Sequence, residues 1–324
     1  MPDGLTASGP LRPDVAIGGT LRTGLQSAQW RLGPNGFLDE LSPGSCSLSF
    51  AGAVTAAIGD VIIISIPSGV LWVGRVDAST TTTDAAGHQW STVNGTDPLG
   101  ALGAAELVAE DSNGADLEES AEIWAAVAGI TLDVVDLSSG LPNIVPATTI
   151  TASVLATINS LARQSNAMMA LQRDGTVAAV MREAMTPADQ VDISDRYREW
   201  TERTDLAVDV NRWAEEGDNA FASDDADIAL YGQRTYAVDF TAWTPPISTQ
   251  FVDWYTYGGS QRPVVTAILP AKSWADDDLM LLNPFGWVTR DLADWQIMSV
   301  SHAVSVSPPT WDVTLTLDNL LDLL

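Results

Sequence analysis

A chain of 324 residues is long enough for two or three compact units, and with hydrophobic residues at 46% it can build a core for each. A formal net charge of −27, spread in short runs such as Asp224–Asp225 and Asp276 to Asp278, excludes a conventional surface that grips nucleic-acid phosphates by counterion release. No apolar run approaches the ~18 residues of a membrane span, the opening MPDGLTASGPLRPD lacks the basic and apolar regions of a secretory signal, and the lone Cys46 has no intrachain disulfide partner; the expectation is a soluble protein made in the cytoplasm, with a buried thiol.

The first hundred residues carry strand signals. Ser47 to Phe50 is one strand, and Val61 to Ile66 and Val70 to Asp77 form a hairpin across the Pro67 to Gly69 turn. Gly59 and Asp60 turn into the hairpin, Ser79 to Asp84 reads as a polar loop after it, Trp90 to Val93 is a further strand, and Asp97, Pro98 and Leu99 close the segment. The pattern then becomes helical. Asp116 to Gly129 places Leu117, Ala121, Trp124 and Ala128 on one face, with acids at its start and Gly at its end. A second amphipathic helix covers roughly Ala152 to Ser165, with Thr151 or Ser153 as its cap, and AMMALQRDGTVAAVM follows as two apolar strands turning at Arg173, Asp174 and Gly175. Strands return at Leu206 to Val210, Pro263 to Leu269, Trp287 to Arg290, Trp295 to Ala303 and Trp311 to Leu317, with a short helix expected at Thr249 to Tyr257.

An internal echo organises these elements. Trp72 and Trp90 are 18 residues apart with Asp97 seven residues after the second, and Trp295 and Trp311 are 16 apart with Asp318 seven after the second. Two related β units flanking an α+β insertion would produce it, and they would share a strand order and place Trp72 and Trp295 in corresponding buried positions. Burial in a core or at a subunit interface is the expectation for all four rings, Trp72, Trp90, Trp295 and Trp311, with Trp243 and Trp254 as further interface candidates.

Catalytic chemistry finds little support in the residues. Glu118, Glu119 and Glu122 sit where acids stabilise a helix start, and Glu215 and Glu216 read as a loop, so no carboxylate pair of a glycan hydrolase is indicated. His88, His302 and Cys46 lack zinc-site spacing, Asp224, Asp225 and Asp227 lack the glycine and terminal glutamate of a calcium loop, and Gly18, Gly19 and Gly24 open no phosphate cradle. The expectation is no enzyme, no cofactor and no metal.

The segments GDVIIISIPSGVLWVGRVD at 59–77, VNGTDPLGAL at 93–102, DVNRW at 209–213, ADIALYGQR at 226–234 and WQIMSVSHAVSVSPPTWDVTLTLDNL at 295–320, in this order, resemble the tail-hub or minor tail proteins of long-tailed bacteriophages. That resemblance implies a β-rich α+β fold in which two tail-tube-like β-barrel domains, 1–102 and 206–324, flank a smaller mixed α+β domain at 103–205. It also implies a virion structural component at the tail tip, assembled in the host cytoplasm. Such a hub is a homotrimeric ring whose paired domains give pseudo-sixfold symmetry, joining the tail tube or distal tail protein to other tail-tip proteins and passing genome DNA without specific binding. A carbohydrate- or receptor-binding β module is the alternative from another class. The −27 charge suggests an acidic channel wall that repels the passing polyanion.

Overall fold

The computed structural model describes residues 12–34, 41–110, 116–127, 129–137, 150–164, 167–181, 190–203, 212–215, 219–223, 225–238, 264–271 and 276–318. The N-terminal strands are β1 (Asp14–Ile17), β2 (Thr20–Arg22), β3 (Leu25–Leu32), β4 (Ser45–Ala51), β5 (Val61–Ile66), β6 (Gly69–Thr83) and β7 (Gln89–Thr96). Two features depart from the sequence expectation. The strand β6 runs through Ser79 to Thr83, expected as loop, because these residues pair residue by residue with β7, from Ser79↔Val93 to Thr83↔Gln89. β-branched Thr suits a pleated strand, and polarity alone does not make a loop. Asp97, Pro98 and Leu99 do not close the segment; they open helix α1 (Pro98–Ala104), where the Asp97 carboxylate caps the Leu99 N–H at 3.0 Å and Pro98 takes the first helical position.

The middle of the chain contains β8 (Glu106–Glu110), α2 (Leu117–Val127), β9 (Val134–Asp136), β10 (Ile150–Ser153), α3 (Val154–Gln164), β11 (Ala167–Leu171) and β12 (Val177–Met181). Asp116 Oδ1 caps α2 by accepting from Glu119 N at 2.8 Å, and Ser153 Oγ caps α3 by accepting from Ala156 N at 3.2 Å. Strands β11, β12 and β9 form a small sheet, and β8 pairs with β10. Short strands β13 (Val191–Asp192) and β14 (Glu199–Arg203) follow and join the large sheet. Beyond them lie β15 (Arg212–Glu215), β16 (Asn219–Ser223), α4 (Asp225–Tyr231) and β17 (Thr235–Val238), the three strands forming a further small sheet. The chain ends with β18 (Val264–Pro270), α5 (Asp276–Leu281), β19 (Trp287–Arg290), β20 (Ala293–Val306) and β21 (Pro309–Asp318). The expected strand at Leu206 to Val210 and helix at Thr249 to Tyr257 lie outside the described residues, as do Trp243 and Trp254.

The strand order repeats. In the N-terminal region the order is β4-β7-β6-β5, and in the C-terminal region it is β18-β21-β20-β19, antiparallel throughout and each with a bulge in the long hairpin, between Val76 and Ala78 in one and Ile297 and Ser299 in the other. The shared order is what related β units require. The two regions are not separate sheets, however. Strand β3 pairs with β4 on one side and with β20 on the other, so the ladders run as one thirteen-stranded sheet, in the order β14-β18-β21-β20-β3-β4-β7-β6-β5-β1-β2 with β13 and β19 off this path. Each region would otherwise leave a long strand edge unpaired, and the pairing of β3 with β20 removes both edges at once.

One face of this sheet is the core. Ala28, Trp30 and Leu32 of β3, Cys46, Leu48 and Phe50 of β4, and Val300, His302 and Val304 of β20 are all buried on it. Leu99 and Leu102 of α1 and Val154 and Ile158 of α3 belong to the same apolar cluster. Burial pushes the Cys46 thiol up to about 12, so it stays protonated. A second cluster docks the small sheet on the C-terminal region: Met168, Ala170, Ala178 and Val180 pack with Phe285, Trp287 and Met298.

Candidate functional site

Period-two alternation leaves the opposite face of the large sheet to polar side chains, and the register aligns them across eight strands. Thr201 of β14 lies opposite Thr266 of β18, which faces Thr316 of β21, which faces Ser299 of β20. The rows continue from Thr314 to Ser301, from Ser305 to Ser27 of β3, from Ser27 to Ser49 of β4, from Ser49 to Thr92 of β7, and from Thr92 to Thr80 of β6. The result is a polar, hydroxyl-rich face that crosses the seam between the two β regions, with Ile268, Ala303, Arg31 and Gln29 lying between its hydroxyl rows. Its charged groups include Arg31, Arg75 and Arg203 beside Asp77, Asp312 and Glu199, and Asp312 is held by Arg198 at 3.0 Å.

A shallow groove of about 550 Å³ sits where this face crosses the seam, lined by Gln29, Ser47, Asp77, Asn94, Ser301 and Thr314 among others. Thr96 Oγ1 donates to Asp77 Oδ1 at 3.2 Å along its wall. Among the described residues no group of three or more His, Cys, Asp or Glu has the arrangement of a metal site.

Beneath the groove, on the core side, the seam is bolted by aromatic rings. Trp30 of β3 and His302 of β20 are cross-strand partners stacked at 4.6 Å and 10°, and Trp311 Nε1 donates to His302 Nδ1 at 3.1 Å. Burial, with a further push from the Arg173 charge, drives the His302 imidazole down to about 3, so it stays neutral with Nδ1 as acceptor. A histidine held neutral as an acceptor in a core is a structural group. Arg173, in the β11–β12 turn, donates to the Leu282 carbonyl and, at 3.3 Å, to Met280 Sδ; burial lowers its guanidinium to about 9.

The four expected tryptophans divide. Trp72 (0% exposed), Trp311 (4%) and Trp295 (8%) are buried; Trp72 lies opposite Ile64 of β5 and Trp295 opposite Val288 of β19. Trp295 meets Trp200 edge-on at 5.2 Å, and the Arg290 guanidinium lies 4.0 Å from the centre of the Trp200 ring. Trp90 is not in the core. It is 43% exposed on the hydroxyl face opposite Thr82, whereas Trp311, its counterpart in the echo, points inward. One residue of offset along a strand exchanges the faces, so equal spacing to Asp97 and Asp318 did not guarantee equal burial. Sequence reasoning passed over Trp30 and strand β3, although Ala28, Trp30 and Leu32 alternate with polar neighbours as a half-buried strand should.

A β-rich chain with one large, mainly antiparallel sheet, three small sheets and few helices, covered nearly end to end by phage tail proteins of known structure, has the fold of those tail proteins. In particular, it is similar to the 43 kDa tail protein of prophage MuSo2 from Shewanella oneidensis, with 13% identity, a TM-score of 0.68 and coverage of 96% of this chain and 98% of that one. A tail protein from Neisseria meningitidis MC58 is similar at 14% identity and TM-score 0.70, over 94% of this chain and 95% of that one. The E. coli c3393 protein, a type VI secretion component with structural similarity to the T4 bacteriophage tail proteins gp27 and gp5, shares 9% identity at TM-score 0.61, over 94% of this chain and 76% of that one. No family model matches the chain, and no curated protein matches it in sequence.

Proposed function

We propose that the chain is a hub of a phage tail tip: a homotrimeric ring in which the two repeated β units of each copy act as tail-tube-like domains, seated between the tail tube and the distal tip proteins. The observation that supports this reading is the single sheet that runs through both repeats and presents one polar, hydroxyl-rich face. Turned inward, that face is the channel wall. Its hydroxyls give little apolar grip on a passing chain. A carbohydrate-binding role would rest on Trp90, an exposed ring on that face.

Cryo-electron microscopy of the purified full-length chain tests the proposal. The expected particle is a threefold ring with Thr92, Ser301 and Thr314 bordering the lumen. A ring with that face on its outside, or a chain monomeric at all concentrations, overturns it.

A further inference from the structure

The β19–β20 turn carries a residue that its own fold does not favour. Arg290 pairs with Ala293, so Asp291 and Leu292 alone make the connection, and both have positive φ, 52° and 71°. Such left-handed positions suit Gly, Asn and Asp, and a bulky apolar residue there is strained. Leu292 is also 98% exposed, so its side chain gains no burial in return. A single exposed leucine is ordinary; one held in a strained conformation points to a use. Neighbouring groups hold the turn in place. The Asp291 N–H donates to Ser194 Oγ at 3.0 Å, and Thr289 Oγ1 donates to Gln190 Oε1 at 2.7 Å. The Arg290 guanidinium lies over two half-buried rings, 4.0 Å from the centre of Trp200 and 5.0 Å from that of Tyr197, and Trp200 Nε1 donates to Glu202 Oε1 at 2.8 Å.

We infer that Leu292 and the ring face beside it dock a different protein of the tail, one that offers an apolar socket with a basic rim. The inference rests on the reading of the chain as a tail structural protein and is independent of the ring. Burial of the leucine in a socket offsets the strain of its backbone, which nothing in the free chain does. The braced turn holds that leucine in position before the partner arrives, so binding adds little ordering cost, and Trp, Tyr and Arg are the side chains that concentrate binding energy at interfaces. Charge selects the partner. The arginines around the turn are engaged: Arg196 with Asp278 at 2.7 Å, Arg198 with Asp312 at 3.0 Å, Arg290 with Asp291 at 3.2 Å, and Arg203 as well. Asp195, Glu199 and Asp294 make no ion pair within 4 Å among the described residues, so acid is in surplus here. A basic rim would pair these carboxylates, whereas a second copy of a chain with 42 acids and 15 Lys and Arg would bring more of the same charge.

The test expresses wild-type and variant chains together during tail assembly and reads their ratio in purified tail particles by mass spectrometry. Leu292→Asn and Leu292→Gly suit the turn and remove the apolar side chain, so both should fold and melt at or above the wild-type temperature. They should nevertheless enter particles about tenfold less often than wild type. Ile58→Asn, at a position 71% exposed in the turn before β5, should enter as wild type does. In the assembled particle, Asp195→benzoylphenylalanine should photo-crosslink to a different tail protein, at a segment where Lys or Arg flank apolar residues. Undiminished entry of the Leu292 variants, an equal loss for Ile58→Asn, no crosslink, or a crosslink to a second copy of this chain overturns the docking site while the tail reading stands. Particles that lack even the wild-type chain overturn the tail reading and this inference with it.

Discussion

Replacing His302 with Phe removes the one titratable group in the stack between Trp30 and Trp311 while keeping a flat ring against Trp30 at the 4.6 Å contact. In the folded chain His302 is held down to about 3, against about 6.5 when unfolded, so the unfolded chain binds the extra proton as pH falls. The group's contribution to stability is full above its unfolded value and is lost as pH drops toward its folded one. Those values imply that lowering pH from about 7.5 to about 5 costs about 2 kcal/mol through His302 alone. His302→Phe also leaves the Trp311 N–H without its acceptor, a pH-independent loss of about 1 to 3 kcal/mol that the His302→Phe/Trp311→Phe double variant should largely recover. Urea unfolding at the two pH values separates the effects. The wild type should lose about 2 kcal/mol relative to either variant on acidification. If wild type and variants shift in parallel, His302 is not held neutral and the account of the seam is wrong.

Asp97 should act in the opposite direction. Burial raises it to about 7, above its unfolded value, so its contribution is full below about pH 4 and is lost as pH rises through 7; on going from about pH 7.5 to about pH 5 the wild type should gain about 2 to 3 kcal/mol relative to Asp97→Asn in the same urea series. Gly74→Ala should destabilise by about 1 to 3 kcal/mol in thermal melts, because a Cβ there would stand 2.1 Å from the Trp72 ring and 2.4 Å from the Thr96 carbonyl oxygen; an unchanged melting temperature would mean the ring can move aside. Asp291 and Leu292 form the β19–β20 turn with φ of 52° and 71°, so Leu292→Gly should stabilise by up to about 1 kcal/mol, and a loss of stability in the melt would refute the strain at that position.

Much of the fold was legible wherever local pattern decides structure. Strands β5 and β19 begin and end where the β-branched and aromatic runs do, and α2 and α3 carry the caps and apolar faces that their sequences announce. What escaped was tertiary in origin. Helix α1 has a start signal, Asp followed by Pro, but only seven residues, too few for periodicity to register. The strand β6 is polar at its end because that end lies on a wet face, which nothing within Ser79 to Thr83 reveals. The hydroxyl surface itself could not be read at all: each Ser or Thr is unremarkable alone, and only the register of eight strands makes them neighbours.

The pairing of β3 with β20 joins residues 27–32 to residues 300–305. The centre of the sheet is thus assembled from segments separated by more than 260 residues of chain. Contacts this distant in sequence slow folding, because the entropy of closing the intervening loop must be met before the pairing can form. Until β20 is synthesised, β3 presents an unpaired edge and the uncovered ring of Trp30, a surface open to the matching edge of another nascent chain. Truncated chains lacking β20 should accordingly be recovered in aggregates.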